Sequence, residues 1–149
     1  MTDTAIPAET VAAYRNARYE FEWISIGIDG QHPLVSLTLD VPNPYLEALM
    51  NMTGRSTSAF ITAHNPLGRQ LSDEENAAHH AALEAEVKKA GYPAFPGQGR
   101  DPDGTWPPEA SLLMLGISRD AACEIGARFE QNAILFADSD FIPRLVLLR

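Results

Sequence analysis

Residues 59–66 of this chain have the sequence Ala59-Phe60-Ile61-Thr62-Ala63-His64-Asn65-Pro66. The apolar first part predicts a buried strand, and the His-Asn-Pro sequence that follows predicts where the strand ends. A rigid strand aims the side chains at its end, and the loop after it leaves them accessible to a ligand. The stretch therefore predicts an interior strand with a candidate binding site beside it.

The composition is that of one globular domain. The chain has 149 residues, 45% of them hydrophobic and 21% charged, which is enough to bury an ordinary core. It has no apolar run near the roughly 20 residues of a membrane helix. The N-terminal residues Met1–Thr4 lack the features of a secretory signal. The single cysteine, Cys123, excludes an internal disulfide and a cysteine-based zinc site. We therefore expect one cytoplasmic domain, residues 1–149, that does not enter a membrane.

The chain is acidic, with a formal net charge of -9 at pH 7 and a pI near 4.8. A negative surface repels nucleic acid on average, so nucleic acid is not expected as a partner. The lysines are confined to positions 88 and 89 and the arginines are scattered, although folding could still gather arginines around a small anionic ligand. The acidity serves solubility, and it would equally suit a basic protein partner.

The N-terminal part of the chain predicts a helix followed by a hairpin. The helix is expected over about residues 8–17. Apolar alternation then predicts a strand over 19–28, and Asp29-Gly30 predicts a turn into a returning strand over 34–39.

Two helices have clear end signals. The Asn-Pro pair at 43–44 starts the first helix, and Gly54 ends it. Ser72 and Glu75 form a capping box for a longer helix that ends at Gly91.

Residues 91–108 contain five prolines and four glycines, which predicts a long loop. A strand over 111–117, a helix capped by Ser118, and strands over 132–137 and 143–148 follow. These elements predict an α+β fold, with mixed α/β as the alternative. We expect a single sheet that opens with an antiparallel hairpin and has helices packed on it.

Two residues are candidates for catalysis by proton transfer. His64 follows the predicted strand and has a side chain whose pKa lies near neutrality. Glu109 stands before the next apolar strand and could serve as an acid, a base or a hydrogen-bond acceptor. The sequence contains neither a Gly-x-Ser-x-Gly elbow nor a Walker A loop, which argues against two well-marked enzyme classes.

Three amides at element boundaries are candidate ligand-binding residues. Asn65 either starts a turn before a proline or offers its amide to a ligand. Asn76 lies in the first turns of the helix capped by Ser72, where it faces either a pocket or solvent. Gln131 lies between the last helix and the next strand, where capping is the alternative role.

Arg100 and Trp106, in the predicted loop, complete the candidate ligand-binding set. The Arg100 guanidinium could close over an anion, or it could be an ordinary surface group. The Trp106 ring could stack on a ligand or anchor the loop against the core.

No metal site and no cofactor are expected. His79 and His80 are adjacent rather than four residues apart, so the usual helical metal motif is missing. The Asp-Pro-Asp-Gly sequence at 101–104 departs from an EF-hand loop. The Gly-Gln-Gly sequence at 97–99 lacks the strand and helix that flank a dinucleotide fingerprint.

Several stretches are specific when taken in order: Ile61–Pro66, Asn76 within Asp-Glu-Glu-Asn, Pro96–Pro102, Trp106–Ser111, Gly116-Ile117 and Phe129–Ile134. Together they resemble a small bacterial family of uncharacterised proteins, domain-of-unknown-function family 3293. They cover about residues 58–137, and Glu130 stands where a glycine is expected. The resemblance implies a bacterial, cytoplasmic single domain and transfers no established activity.

The leading hypothesis is that these polar residues converge on one pocket, partly covered by the loop at 92–108. Such a pocket would bind a neutral or anionic small molecule such as a nucleotide or sugar derivative, and would either bind it only or act on it as an enzyme. The alternative is a non-enzymatic acidic interaction module that binds a protein partner. A third possibility is that the amides form a purely structural polar network.

Overall fold

The computed structural model describes residues 6–23 and 33–149. Four α-helices lie in this part of the chain: α1 (Ala8–Asn16), α2 (Pro44–Thr53), α3 (Asp73–Ala90) and α4 (Arg119–Arg128). Seven strands accompany them: β1 (Arg18–Glu22), β2 (Leu34–Leu37), β3 (Ser58–Thr62), β4 (Ala94–Arg100), β5 (Glu109–Leu115), β6 (Ala133–Ala137) and β7 (Arg144–Leu147). A short 3-10 helix spans Pro66–Gly68. Within these residues, no helix combines the length and apolarity needed to cross a membrane.

The strands form one sheet in the order β2-β1-β4-β5-β3-β6-β7. The predicted opening hairpin is confirmed, because β1 and β2 pair from Tyr19 with Leu37 to Glu22 with Leu34. All strand pairs in the described residues are antiparallel, so the fold is α+β rather than mixed α/β. The Asp29-Gly30 turn and the end of the strand predicted over 19–28 lie outside the described residues.

One face of the sheet is covered by α2, whose ends are those that the sequence predicts. The Asn43 side chain accepts hydrogen bonds from the backbone N–H groups of Tyr45 and Leu46, at 3.1 and 3.0 Å. Gly54 ends the helix in the left-handed conformation, with φ 68°. The side chains that α2 buries against the inward-facing residues of the strands are Leu46, Leu49 and Met50.

The opposite face of the sheet is covered by α3 and α4. The predicted capping box of α3 is present, because the Ser72 hydroxyl accepts from the Glu75 N–H at 3.1 Å and the Glu75 carboxylate accepts from the Ser72 N–H at 3.2 Å. Ser118 caps α4 by accepting from the Ala121 N–H at 3.1 Å. The main cluster on this face combines apolar residues of both helices with residues of β3, β5, β6 and β7.

The prediction of a loop over residues 91–108 is wrong for most of its first half. Residues 94–100 form β4, an interior strand that pairs with β1 on one side and β5 on the other. Its proline, Pro96, lies outside the pairs with β1, which run from Phe21–Gly97 to Arg18–Arg100, so its missing N–H costs no bond there. The loop is therefore limited to the residues between β4 and β5, 101–108.

Glycine is required in β4 because the sheet is crowded there. A Cβ at Gly97 would lie 2.5 Å from the Glu20 carbonyl oxygen and 2.9 Å from the Phe60 ring. At Gly99 a Cβ would meet only the Tyr19 ring, at 3.7 Å. Gly97, which is typical of a loop in sequence, thus allows close packing inside the sheet, whereas the sheet leaves room for a side chain at Gly99.

Candidate functional site

A cavity of about 240 Å³ lies against the sheet on the face that α2 also covers, near the start of β5. The strands contribute one wall, α1 contributes a second, and the loops after β3, β4 and α4 contribute the rest. Its strand and α1 residues include Ala13, Tyr14, Ala17, Tyr19, Phe60, Thr62, Gly99, Glu109 and Ser111. Its loop residues include His64, Asn65, Gly68, Gln70, Trp106, Gln131 and Asn132.

The cavity forms where inward-facing residues of the strands change from apolar to small or polar. In β5, the inward positions Leu115 and Leu113 belong to the core, and the next ones on that face are Ser111 and Glu109. Gly97 pairs with Ser111, and Gly99 pairs with Glu109. Because a glycine adds no side chain beside either of these residues, the space above them is not filled by side chains of the sheet. The apolar core under α2 therefore ends here, and the cavity begins.

α1 closes the cavity without having a core of its own. None of its residues is buried. Two hydrogen bonds fasten it near the cavity: the Tyr19 hydroxyl donates to the Tyr14 carbonyl at 2.6 Å, and the Asn132 amide donates to the Tyr14 hydroxyl at 3.0 Å. Arg149 in turn donates to the Asn132 side-chain oxygen at 2.8 Å. The cover of the cavity therefore depends on a few polar contacts.

Glu109 is the carboxyl group of the cavity. Its Oε2 accepts a hydrogen bond of 2.7 Å from the Asn65 side-chain amide. Burial raises the pKa of Glu109, and the Asn65 hydrogen bond offsets only part of that effect. Among the described residues, no donor reaches its Oε1, and no lysine or arginine lines the cavity. Within the described part of the chain, Glu109 is thus a half-buried carboxyl group without a cationic partner.

Asn65 holds Glu109 and is itself held by α3. It has a left-handed backbone, with φ 47°, which asparagine tolerates better than most residues. Its Oδ1 accepts from the Leu71 N–H and from the Asn76 side-chain amide, both at 3.0 Å. The Asn65 N–H donates to the Asn76 Oδ1 at 2.9 Å. This reciprocal pair fixes the Asn65 amide so that its nitrogen points to Glu109.

His64 lines the cavity as a half-buried imidazole. Its ring lies edge-on to the His80 ring, with 6.2 Å between the centroids. Burial lowers the pKa of His64, and the neighbouring His80 lowers it further. The ring is therefore mostly neutral at pH 7, available to donate or accept one hydrogen bond.

Gln131 is buried and joins the loop after β3 to the end of α4. Its Nε2 donates to the carbonyl oxygens of His64 and Phe129, at 3.0 and 3.2 Å. Because both partners are acceptors, the orientation of the amide is determined. No donor among the described residues reaches its Oε1, which leaves an acceptor in a residue that lines the cavity.

Arg100 does not line the cavity. It lies in β4 on the opposite face of the sheet, where its Nε and Nη2 donate to the two carboxylate oxygens of Glu20 at 3.0 and 3.2 Å. The Gln98 amide also donates to this carboxylate, at 3.1 Å. The hypothesis placed Arg100 on a mobile loop over the pocket, whereas a strand turns successive side chains to opposite faces.

The structure brings most of the predicted site residues together. Those that line the cavity are His64, Asn65, Trp106, Glu109 and Gln131. Asn76 is buried behind them and contacts the cavity only through Asn65. The candidate set did not include five further lining residues: Tyr14, Tyr19, Thr62, Ser111 and Asn132. Polar residues at inward positions of apolar strands, such as Thr62 and Ser111, were the available signal.

Comparisons with known proteins bear on this site through one family. The family described as "Protein of unknown function (DUF3293)" matches residues 61–134, and the predicted resemblance is thereby confirmed. The matched segment runs from the middle of β3 to the start of β6 and includes the five predicted residues that line the cavity. No curated protein and no solved structure matched the chain.

Proposed function

We propose that this chain, which belongs to the DUF3293 family, binds a small organic molecule in the cavity between α1 and the sheet. The observation that carries the proposal is the cavity of about 240 Å³ with a half-buried Glu109 in its wall, whose Oε1 accepts no hydrogen bond from the described residues. Ligand sites are typically concave and mostly apolar, with a few polar groups that converge on the ligand. Partial burial of a carboxyl group costs free energy of folding where the described residues supply no cation for it, and a role in ligand binding would account for that cost.

The walls indicate a ligand with an apolar body. The rings of Tyr19, Phe60 and Trp106 line the cavity, and such rings bury a large area of ligand surface. Glu109 and Gln131 offer acceptors, so the ligand is expected to bring hydrogen-bond donors. A nucleotide or another anion fits poorly, because Arg100 is engaged by Glu20 on the other face.

The same cavity also supports proton transfer as a candidate activity. Glu109 is held by Asn65, and its burial raises its pKa from the usual range of a carboxyl group towards neutrality. His64 supplies a second titratable group in the same wall. If the bound molecule reacts, we expect Glu109 to be the residue that exchanges a proton with it.

The test is a fragment screen by ligand-observed NMR, with a variant that fills the cavity. In Gly99→Leu the new side chain enters the cavity beside Tyr19, and its Cβ is accommodated at 3.7 Å. Ala94→Leu adds the same side chain at an exposed position of the same strand and is the matched control. We expect fragments that bind the wild type and Ala94→Leu but not a folded Gly99→Leu. If Gly99→Leu folds and binds every fragment as the wild type does, the cavity is not the binding site.

A further inference from the structure

We infer that the ligand is an organic cation, with a protonated amine at Glu109 and an apolar or aromatic body against the rings of Trp106 and Tyr19. The inference rests on the proposed function and adds the chemical class of the ligand. Three features support it: the different surroundings of Glu20 and Glu109, the aromatic rings that line the cavity, and the acceptor oxygens of Glu109 and Gln131.

Glu20 and Glu109 show two ways to place a glutamate in this sheet. Glu20 is buried, and its carboxylate accepts from both Arg100 and Gln98, which lowers its pKa. Glu109 lies two strands away on the other face and is half-buried, and among the described residues it accepts a hydrogen bond only from the neutral amide of Asn65. A buried carboxylate needs a cation or several donors to offset the loss of water. The described residues supply these to Glu20, whereas a ligand that displaces water from the cavity has to supply them to Glu109.

The aromatic rings favour the same class. Trp106, Tyr14, Tyr19 and Phe60 all line the cavity. The faces of such rings carry negative charge density and attract ammonium groups, most strongly when water is excluded. The same rings and the Glu109 carboxylate repel an anion.

The free hydrogen-bonding atoms also match an ammonium group. Glu109 Oε1 and Gln131 Oε1 receive no hydrogen bond from the described residues, and both are acceptors. An ammonium group brings three donors and no acceptor, so after donating to Glu109 it still has donors for a second acceptor of the cavity. A hydroxyl brings one donor and can therefore form a hydrogen bond with only one of these acceptors.

Three probes of nearly equal shape test the class: phenethylamine, 2-phenylethanol and phenylacetate. Each is titrated by calorimetry at pH 7 into the wild type, Glu109→Gln and Glu124→Gln. Glu124→Gln removes the same charge from an exposed position of α4 and is the matched control. We expect the amine to bind the wild type and Glu124→Gln about tenfold or more tightly than the alcohol. In Glu109→Gln we expect that preference to disappear, because the amine loses more affinity than the alcohol when the carboxylate becomes a neutral amide.

The outcomes separate this inference from the proposed function. If the alcohol or phenylacetate binds as tightly as the amine, and Gly99→Leu abolishes that binding, the cavity is a ligand site but the ligand is not a cation. The cation is likewise refuted if none of the three probes binds while the fragments that do bind in a cavity-dependent way carry no positive charge. If no compound of either experiment binds in a cavity-dependent way, both proposals fail. If Glu109→Gln keeps the full preference for the amine, Glu109 is not the group that selects the cation.

Discussion

Replacing Asn65 with glycine is expected to destabilise the protein strongly, because one side chain joins α3, the loop after β3 and Glu109. The substitution removes three side-chain hydrogen bonds, to the Leu71 N–H, the Asn76 amide and the Glu109 carboxylate. It leaves the left-handed backbone of residue 65 unstrained, since glycine adopts a positive φ freely. The measured effect therefore reports the hydrogen bonds rather than the backbone conformation.

The magnitude follows from those three hydrogen bonds. At about 1 kcal/mol for each, the loss is roughly 3 kcal/mol, and the greater freedom of glycine in the unfolded chain adds about 0.5–1 kcal/mol. For a chain of 149 residues, a total of about 3.5–4 kcal/mol corresponds to a fall in Tm of roughly 7–16 °C. The assay is urea and thermal unfolding at pH 7, followed by far-ultraviolet circular dichroism.

Asp40→Gly is the matched control for this experiment. Asp40 also has a left-handed backbone, with φ 64°, but its side chain is exposed and makes only a surface ion pair with Arg15 at 3.5 Å. We expect the control to change the free energy of unfolding by less than about 1 kcal/mol. If Asn65→Gly costs no more than Asp40→Gly, the hydrogen bonds of Asn65 do not hold this site together, and the reasoning is wrong.

Three further predictions concern Glu109, the glycines of β4 and the contact of α1 with the cavity. The folded state raises the pKa of Glu109 above its ordinary value of 4.5, so ionisation of Glu109 at higher pH destabilises the fold. Glu109→Gln should therefore unfold at a higher temperature than the wild type at pH 7. Thermal scans against pH should show this difference disappearing below about pH 4.5. Gly97→Ala should lower the free energy of unfolding in urea by more than about 3 kcal/mol, because its Cβ would lie 2.5 Å from a backbone oxygen. Gly99→Ala should lower it by less than about 1 kcal/mol. Equal losses of stability would contradict the conclusion that the sheet is crowded at Gly97. Tyr14→Phe removes the hydrogen bond from Asn132, so the backbone amides of α1 should exchange with deuterium several-fold faster while those of α3 stay unchanged. Unchanged exchange in α1 would show that this hydrogen bond does not hold α1 against the cavity.

The Asn65 experiment also bears on the original alternatives. The structural network predicted from the sequence is present around Asn65 and Asn76, so these amides are expected to position the wall rather than to bind a ligand themselves. Glu109, with an oxygen that no described donor reaches, is expected to make the direct contact. Ligand binding is therefore better tested at Glu109 than at the asparagines.

The helices could be predicted from the sequence because their ends depend on neighbouring residues. Asn43 with Gly54, and Ser72 with Gly91, act within one or two turns of the backbone, and the structure ends α2 and α3 where these residues predict. The opening hairpin depends on pairing between nearby segments and was also predicted correctly. The strand β4 was not, because its glycines and Pro96 are typical of loops and its partners come from distant parts of the chain.

Local sequence signals were sufficient to show which residues stand at element ends, and therefore that His64, Asn65, Glu109 and Gln131 were candidates. Which of them meet depends on the folded chain, because the pairing register of β3, β4 and β5 sets the face and the height of each side chain. Folding also places Arg100 on the opposite face, since the direction of a side chain is undefined until its residue is assigned to a strand. Neighbouring residues fix where elements begin and end, whereas a cavity depends on contacts between residues far apart in the chain.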